Sequence, residues 1–134
     1  IPPERMKIKK KLHHVPLSNT TFDIFSNLKK NSLDSPYCFP SPTNKSKPIG
    51  TESMLRAIRR VGVTAEQFVI HGNRHTGATM IANYLPQHSD RVVDAQLHHE
   101  IGGVSGIYNR ADYLEQRKLL MEDWSNYLDN LLTE

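Results

Sequence analysis

Three local patterns hold the residue types that chemistry needs. In "HGNRHT", residues 71–76, His71 and Arg74 stand three positions apart. Residues three apart share a helix face, and a helix start offers free N–H groups and the positive end of its dipole. A His and an Arg placed there form a clamp for a phosphate. Taken alone the pattern is weak, because H-x-x-R is short and capping or a surface ion pair explains it more often than not. The second pattern is the pair His98–His99, at the end of a short helix, where the dipole alone favours partial positive charge. The third is Tyr108, nine residues beyond His99 in "LHHEIGGVSGIYNRADY". With a pKa near 10, only about one tyrosine in a thousand is ionised at neutral pH. A nucleophilic role therefore demands cationic donors that stabilise the phenolate and the charge on the group it attacks.

The elements that must position these groups follow from periodicity and punctuation. At 134 residues the chain is one domain or most of one, able to bury roughly two-thirds of its unfolded surface. The spacing of Met6, Ile8, Leu12 and Val15 among lysines predicts a β-hairpin over residues 4–17, with Lys9 to Lys11 near its tip. Ser18 suits the N-cap of a helix over 19–30 with an apolar stripe of Phe22, Phe25 and Leu28. The Pro-, Ser- and Asn-rich stretch that follows reads as loop, with a very short strand at Tyr37 to Phe39. A helix opens at Thr51 and stops at Gly62. Another runs from about Asn73 to Leu85, apolar at Ala78, Ile81, Ala82 and Leu85, and Pro86 ends it. Ser89 caps a short helix, "DRVVDAQL". The last helix, 111–132, carries a seam of Leu114, Met121, Trp124, Leu128 and Leu131. The fold class is mainly α with a small β-hairpin (α+β): hairpin 4–17, helical body 18–110, C-terminal helix 111–132.

Composition narrows the function classes. Mean hydropathy of −0.55 and 37% hydrophobic residues fit a soluble globular protein, and no run of about 18 apolar residues is long enough to span a membrane. The single cysteine, Cys38, rules out an internal disulfide and suits a reducing compartment. Charge is unevenly divided: residues 1–60 hold 12 Lys and Arg against 4 Asp and Glu, and residues 61–134 hold 5 against 10. A basic first half points to a polyanion, most simply nucleic acid, with phosphate contacts expected at Lys9, Lys10, Lys11, Arg56, Arg59 and Arg60. The opening "IPPERMK" lacks an initiator Met and reads as the inside of a longer chain.

"HGNRHTGATMIAN", then "AQLHHE", then "IYNRADYLEQRKLLMEDWSNYLD" together resemble the catalytic domain of the tyrosine recombinases, closest to the integrases of prophages and integrative genomic islands. The upstream "RMKIKKKLHHVPLS" and "YCFPSP" fall in the order that family shows, so the resemblance covers nearly the whole chain. It implies the DNA breaking-and-rejoining fold, in part, and a site-specific strand transferase. His71 and Arg74 match the pair that contacts the scissile phosphate. His99, rather than His98, matches the third-box histidine. Tyr108 matches the nucleophile that becomes joined to a DNA 3′-phosphate. Lys7 matches the general acid toward the leaving 5′-hydroxyl, with Lys9, Lys10 and Lys11 as neighbours able to take that role. The chemistry suits those residues. Arg neutralises non-bridging oxygens with a planar two-pronged donor set, His donates or moves a proton near neutral pH, and Lys protonates a departing alkoxide. No cofactor or metal is implied.

One departure from the family pattern matters. The family uses two arginines, the first on a helix upstream of the hairpin with an acidic residue close behind it, and this stretch begins too late to hold either. It is expected to lack that segment and the preceding DNA-binding domain, and to cleave little by itself, since one lost contact to the transition state costs on the order of 3 kcal/mol. The expected partners are double-stranded DNA attachment sites and, in the complete protein, further copies in a tetramer. The glycines Gly102, Gly103 and Gly106 are expected to let Tyr108 swing. Three other readings stand beside this one. They are a catalytically inactive DNA-binding homologue or fragment, a type IB topoisomerase with the same chemistry, and a zinc enzyme using His71 and His75, disfavoured because Asn73 and Arg74 fill the middle of that stretch.

Overall fold

The computed structural model describes residues 1–5, 12–32, 34–99 and 112–133. Among these, five α-helices occur in order: α1 Asn19–Asn31, α2 Thr51–Arg60, α3 Gly72–Tyr84, α4 Asp90–Gln96 and α5 Leu114–Thr133. The mainly helical expectation holds, and the helix limits lie within a few residues of those read from the caps and breakers. The residues separate into two compact units, Ile1–Asn19 with Ala78–Glu134, and Thr20–Gly77.

The first unit has the apolar core. Ile81 and Leu85, one turn apart at the end of α3, meet Val92 of α4 and Leu120 of α5, with Val93, Tyr113, Trp124 and Tyr127 packed around them. Burying each such aliphatic side chain contributes about 1.5–3 kcal/mol. Tyr84 stacks on Tyr127 with ring centroids 5.3 Å apart, and Tyr127 on Trp124 at 5.7 Å. The α3–α4 turn is fastened to α5 by Asp123, whose carboxylate lies 2.7 Å from His88 Nε2 and accepts from Gln87 Nε2 at 3.2 Å. Glu122 of α5 accepts from both the backbone N–H and the side-chain amide of Asn19.

The seam on α5 differs from the expected one. Its most buried side chains are Arg117 and Leu120, with Trp124 and Tyr127 partly buried beyond them, while Leu128 and Leu131 are exposed. A 117–120–124–127 spacing is as helical as the apolar one. On that face Arg117 finds acceptors inside on Gln96, Asp112 and His14.

The second unit is held mainly by polar bonds. Ser35, almost wholly buried, donates to the Lys45 carbonyl at 2.7 Å, accepts from Tyr37 N–H at 3.1 Å, and offers its own carbonyl to Lys29 Nζ. The expected apolar stripe of α1 is not buried: Phe22 is 61% and Phe25 41% exposed. The Ser- and Pro-rich stretch that follows α1 closes on itself through Ser35. In place of a strand at Tyr37–Phe39, one antiparallel bridge joins Pro40 and Pro48, flanked by the Ile49 N–H to Phe39 carbonyl bond at 2.8 Å.

The β-hairpin over 4–17 is not seen in its described parts. Pro3–Arg5 forms a 3₁₀ turn, and residues 12–17 take no strand conformation. Prolines at positions 2, 3 and 16 withhold the N–H groups a ladder needs. One pairing survives: Ile1 and His13 exchange both backbone hydrogen bonds, at 2.5 and 2.9 Å. The expected tip, Lys9 to Lys11, lies outside the described residues.

Candidate active site

His71 and Arg74 are placed by the segment that leaves α2. Gly62 takes the left-handed conformation, φ +90°, and its N–H donates to the Arg59 carbonyl, so the helix ends where expected. Thr64 and Gln67 then form a reciprocal capping box, Thr64 N–H to Gln67 Oε1 at 2.9 Å and Gln67 N–H to Thr64 Oγ1 at 3.3 Å. The Arg59 guanidinium closes the stretch by donating to the carbonyls of Val63, Thr64 and Phe68. Of the α2 arginines expected to meet phosphate, Arg56 and Arg60 are thus the exposed ones, while Arg59 is engaged within its own unit.

A Cβ at Gly72, which follows His71, would lie 3.1 Å from Val69 Cγ2, a tight approach to an exposed side chain. The helix start differs from expectation in one respect. The N–H groups of Gly72, Asn73 and Arg74 donate to the carbonyls of Val69, Ile70 and His71, at 2.9, 3.3 and 3.2 Å. Tight i→i−3 bonds therefore occupy the donors that an anion would have used. Any hold on a phosphate here must come from the side chains, with His71 exposed and Arg74 half-buried. His75 is exposed as well.

His99 belongs to the other unit. After α4, Leu97 is the last helical residue and His98 adopts φ +53°. His98 N–H donates to the Ala95 carbonyl and His99 N–H to the Asp94 carbonyl. This is a Schellman cap with histidine where glycine is usual, at a steric cost of roughly 1–2 kcal/mol. The His98 ring meets the His13 ring with centroids 4.6 Å apart. The cap returns His99 over its own helix, and its Nδ1 lies 3.1 Å from Asp94 Oδ1. With Nδ1 held by the carboxylate, Nε2 is the nitrogen turned to other partners. The two histidines are thus distinct: His98 caps, and His99 presents a ring.

Beside them lies a group that periodicity alone does not reveal. Arg117 is fully buried. Its Nε donates to Gln96 Oε1 at 2.9 Å, one terminal nitrogen to both the carboxylate and the carbonyl of Asp112, and the other to the His14 carbonyl. Burial lowers the Arg117 pKa, opposed by Asp112, but a guanidinium starts so high that it stays charged. His13 is pushed below its ordinary value of 6.5 by burial, then by the positive charges of Arg117 and His98, with Asp112 opposing. The signal in the sequence is a polar residue at the centre of a helical seam. Lys7, Lys9, Lys10, Lys11, Tyr108 and the glycines Gly102, Gly103 and Gly106 lie outside the described residues.

Relatives give these residues a context. The chain is 32% identical to the prophage integrase IntZ of Escherichia coli over 98% of its length, and 32% identical to the integrase of Shigella phage Sf6 and to the prophage integrase IntS of Escherichia coli over 90%. The chain belongs to the family of phage and prophage integrases. It spans about a third of the length of the curated relatives it matches. No protein-family profile matches it, and no solved structure does.

Proposed function

We propose that this chain is catalytic-domain sequence of a tyrosine-type site-specific DNA recombinase, one that integrates and excises a prophage or mobile island. In the reaction, the Tyr108 phenolic oxygen attacks the scissile phosphorus and its bond to the 5′-oxygen breaks. Lys7 gives a proton to that oxygen, which leaves as a 5′-hydroxyl. His71 and Arg74 donate to the non-bridging oxygens, and His99 takes the Tyr108 phenolic proton through Nε2. The 3′-phosphotyrosine keeps the energy of the broken phosphodiester, so a 5′-hydroxyl from the partner duplex reseals the strand without ATP. The complete protein would act in the bacterial cytoplasm on double-stranded attachment sites, with copies of itself assembled as a tetramer.

The observation that carries this reading is the joint spacing of His71, Arg74, His99 and Tyr108 in a chain whose relatives are named integrases. Placement of His99 by Asp94 supports it, because a recombinase histidine must present one defined nitrogen. The test is covalent capture on a nicked attachment-site DNA by the complete protein. Wild type should form a denaturant-resistant adduct and Tyr108→Phe none; equal capture by both would sink the assignment. A protein that binds the DNA without any adduct in either form would be the inactive homologue.

A further inference from the structure

The buried guanidinium of Arg117 draws together three pieces of chain that are far apart in sequence. Gln96, at the end of α4, stands three residues before His99. Asp112 stands four residues after Tyr108, and His14 stands seven residues after Lys7. Each arm of one side chain therefore holds a residue within seven positions, in sequence, of one of the three reacting groups of the proposed site.

The backbone carries a second, independent sign. Among the described non-glycine residues, the two in the left-handed region are His98, φ +53°, and Tyr113, φ +50°. His98 stands two residues after Gln96 and Tyr113 directly after Asp112, one on either side of the segment that carries Tyr108 in sequence. Such conformations persist where surrounding structure over-determines them, and they gather at functional sites. His98 takes this conformation at the cap of α4 and Tyr113 directly before α5, so both helix ends beside the Arg117 partners are tightly defined.

We propose that Arg117 is a positioning residue for strand transfer: it fixes the two ends of the Tyr108 segment and the return of the Lys7 segment in one frame with His99. This rests on the function proposed above. Arg117 touches no DNA and moves no proton. It acts through Asp112, Gln96 and His14, and it sets geometry to which in-line attack is sensitive, a misplacement of about 1 Å lowering the rate about a hundredfold.

The experiment compares Arg117→Lys and Gln96→Ala with wild type and Tyr108→Phe in the complete protein. It measures single-turnover adduct formation, affinity for the same DNA, and amide hydrogen exchange. Arg117→Lys keeps the charge but loses the fork, and Gln96→Ala removes one arm while leaving the Asp112 pair intact. The proposal expects adduct formation to fall about a hundredfold in Arg117→Lys and about tenfold in Gln96→Ala, with affinity within about threefold. It also expects faster exchange at His98, His99 and Arg117, while the later amides of α5 stay protected. An unchanged rate overturns it, and so does a parallel loss of rate, affinity and protection throughout α5, which would make Arg117 a core staple only. Adduct formation by Tyr108→Phe would instead refute the underlying function, and the exchange pattern would still report whether Arg117 clamps these segments.

Discussion

His98 and His99 are neighbours in sequence and differ in what the backbone asks of them. His98 sits at φ +53°, where a β-branched side chain is poorly tolerated. We expect His98→Val to destabilise the chain by about 1–2 kcal/mol, read as a lower denaturant midpoint, and His98→Ala to cost less. His13, under the His98 ring, gives a pH dependence with a definite sign. Its native pKa lies below the unfolded value of 6.5. The unfolded chain therefore binds more protons between the two values, and stability rises with pH across that window. The contribution is fully present above pH 6.5 and is lost as pH falls from there toward the native pKa. Thermal unfolding measured between about pH 7.5 and 5 should show this acid loss, and His13→Asn should flatten it. An identical slope in the variant would contradict the assignment.

At the scale of elements, Arg59 shows how a basic residue can be structural. It fastens Val63, Thr64 and Phe68, the stretch that delivers His71 to the start of α3. Arg59→Met should destabilise this stretch by about 1–3 kcal/mol and speed exchange of the Gln67 and Phe68 amides, whereas Arg60→Met should leave both unchanged. The helices themselves were legible because their limits are local: Gly62 and Pro86 stop two of them, and Ser89 is the N-cap residue of α4, there without a side-chain capping bond. The faces were less legible. On α5 the apolar residues Leu114, Met121, Trp124, Leu128 and Leu131 spell one seam; Trp124 does pack on the core, yet the most buried face runs through Arg117. Burial of an arginine depends on acceptors from residues 14, 96 and 112, which no local window contains. The hairpin expected over 4–17 lies partly outside the described residues; in its described parts the prolines at positions 2, 3 and 16 remove donors a ladder would use. Of the candidate site, residue types and spacing were readable, whereas the Asp94 hold on His99 and the tight bonds at the α3 start depend on folded backbone.

At the scale of the whole molecule, charge is the dominant feature. The excess of Lys and Arg lies in residues 1–60 and the excess of Asp and Glu in residues 61–134. Among the described residues, no helix is long and apolar enough to cross a membrane. If the basic half meets DNA phosphates, affinity must fall steeply with salt, because each neutralised phosphate releases counterions. Replacing the exposed Arg56 and Arg60 together by Ala should reduce the slope of log affinity against log salt by about 2. The change should be the same on specific and unrelated duplexes, since phosphate contacts carry no sequence information. An unchanged slope would remove α2 from the DNA-facing surface.

The central claim is that one tyrosine of five is chemical. The most direct measurement traps the complete protein on a nicked attachment-site duplex, digests the adduct, and locates the nucleotide-bearing peptide by mass spectrometry. A 3′-phosphonucleotide is expected on Tyr108, with Tyr37, Tyr84, Tyr113 and Tyr127 unmodified. A nucleotide on any of those four, or on a serine, would contradict it.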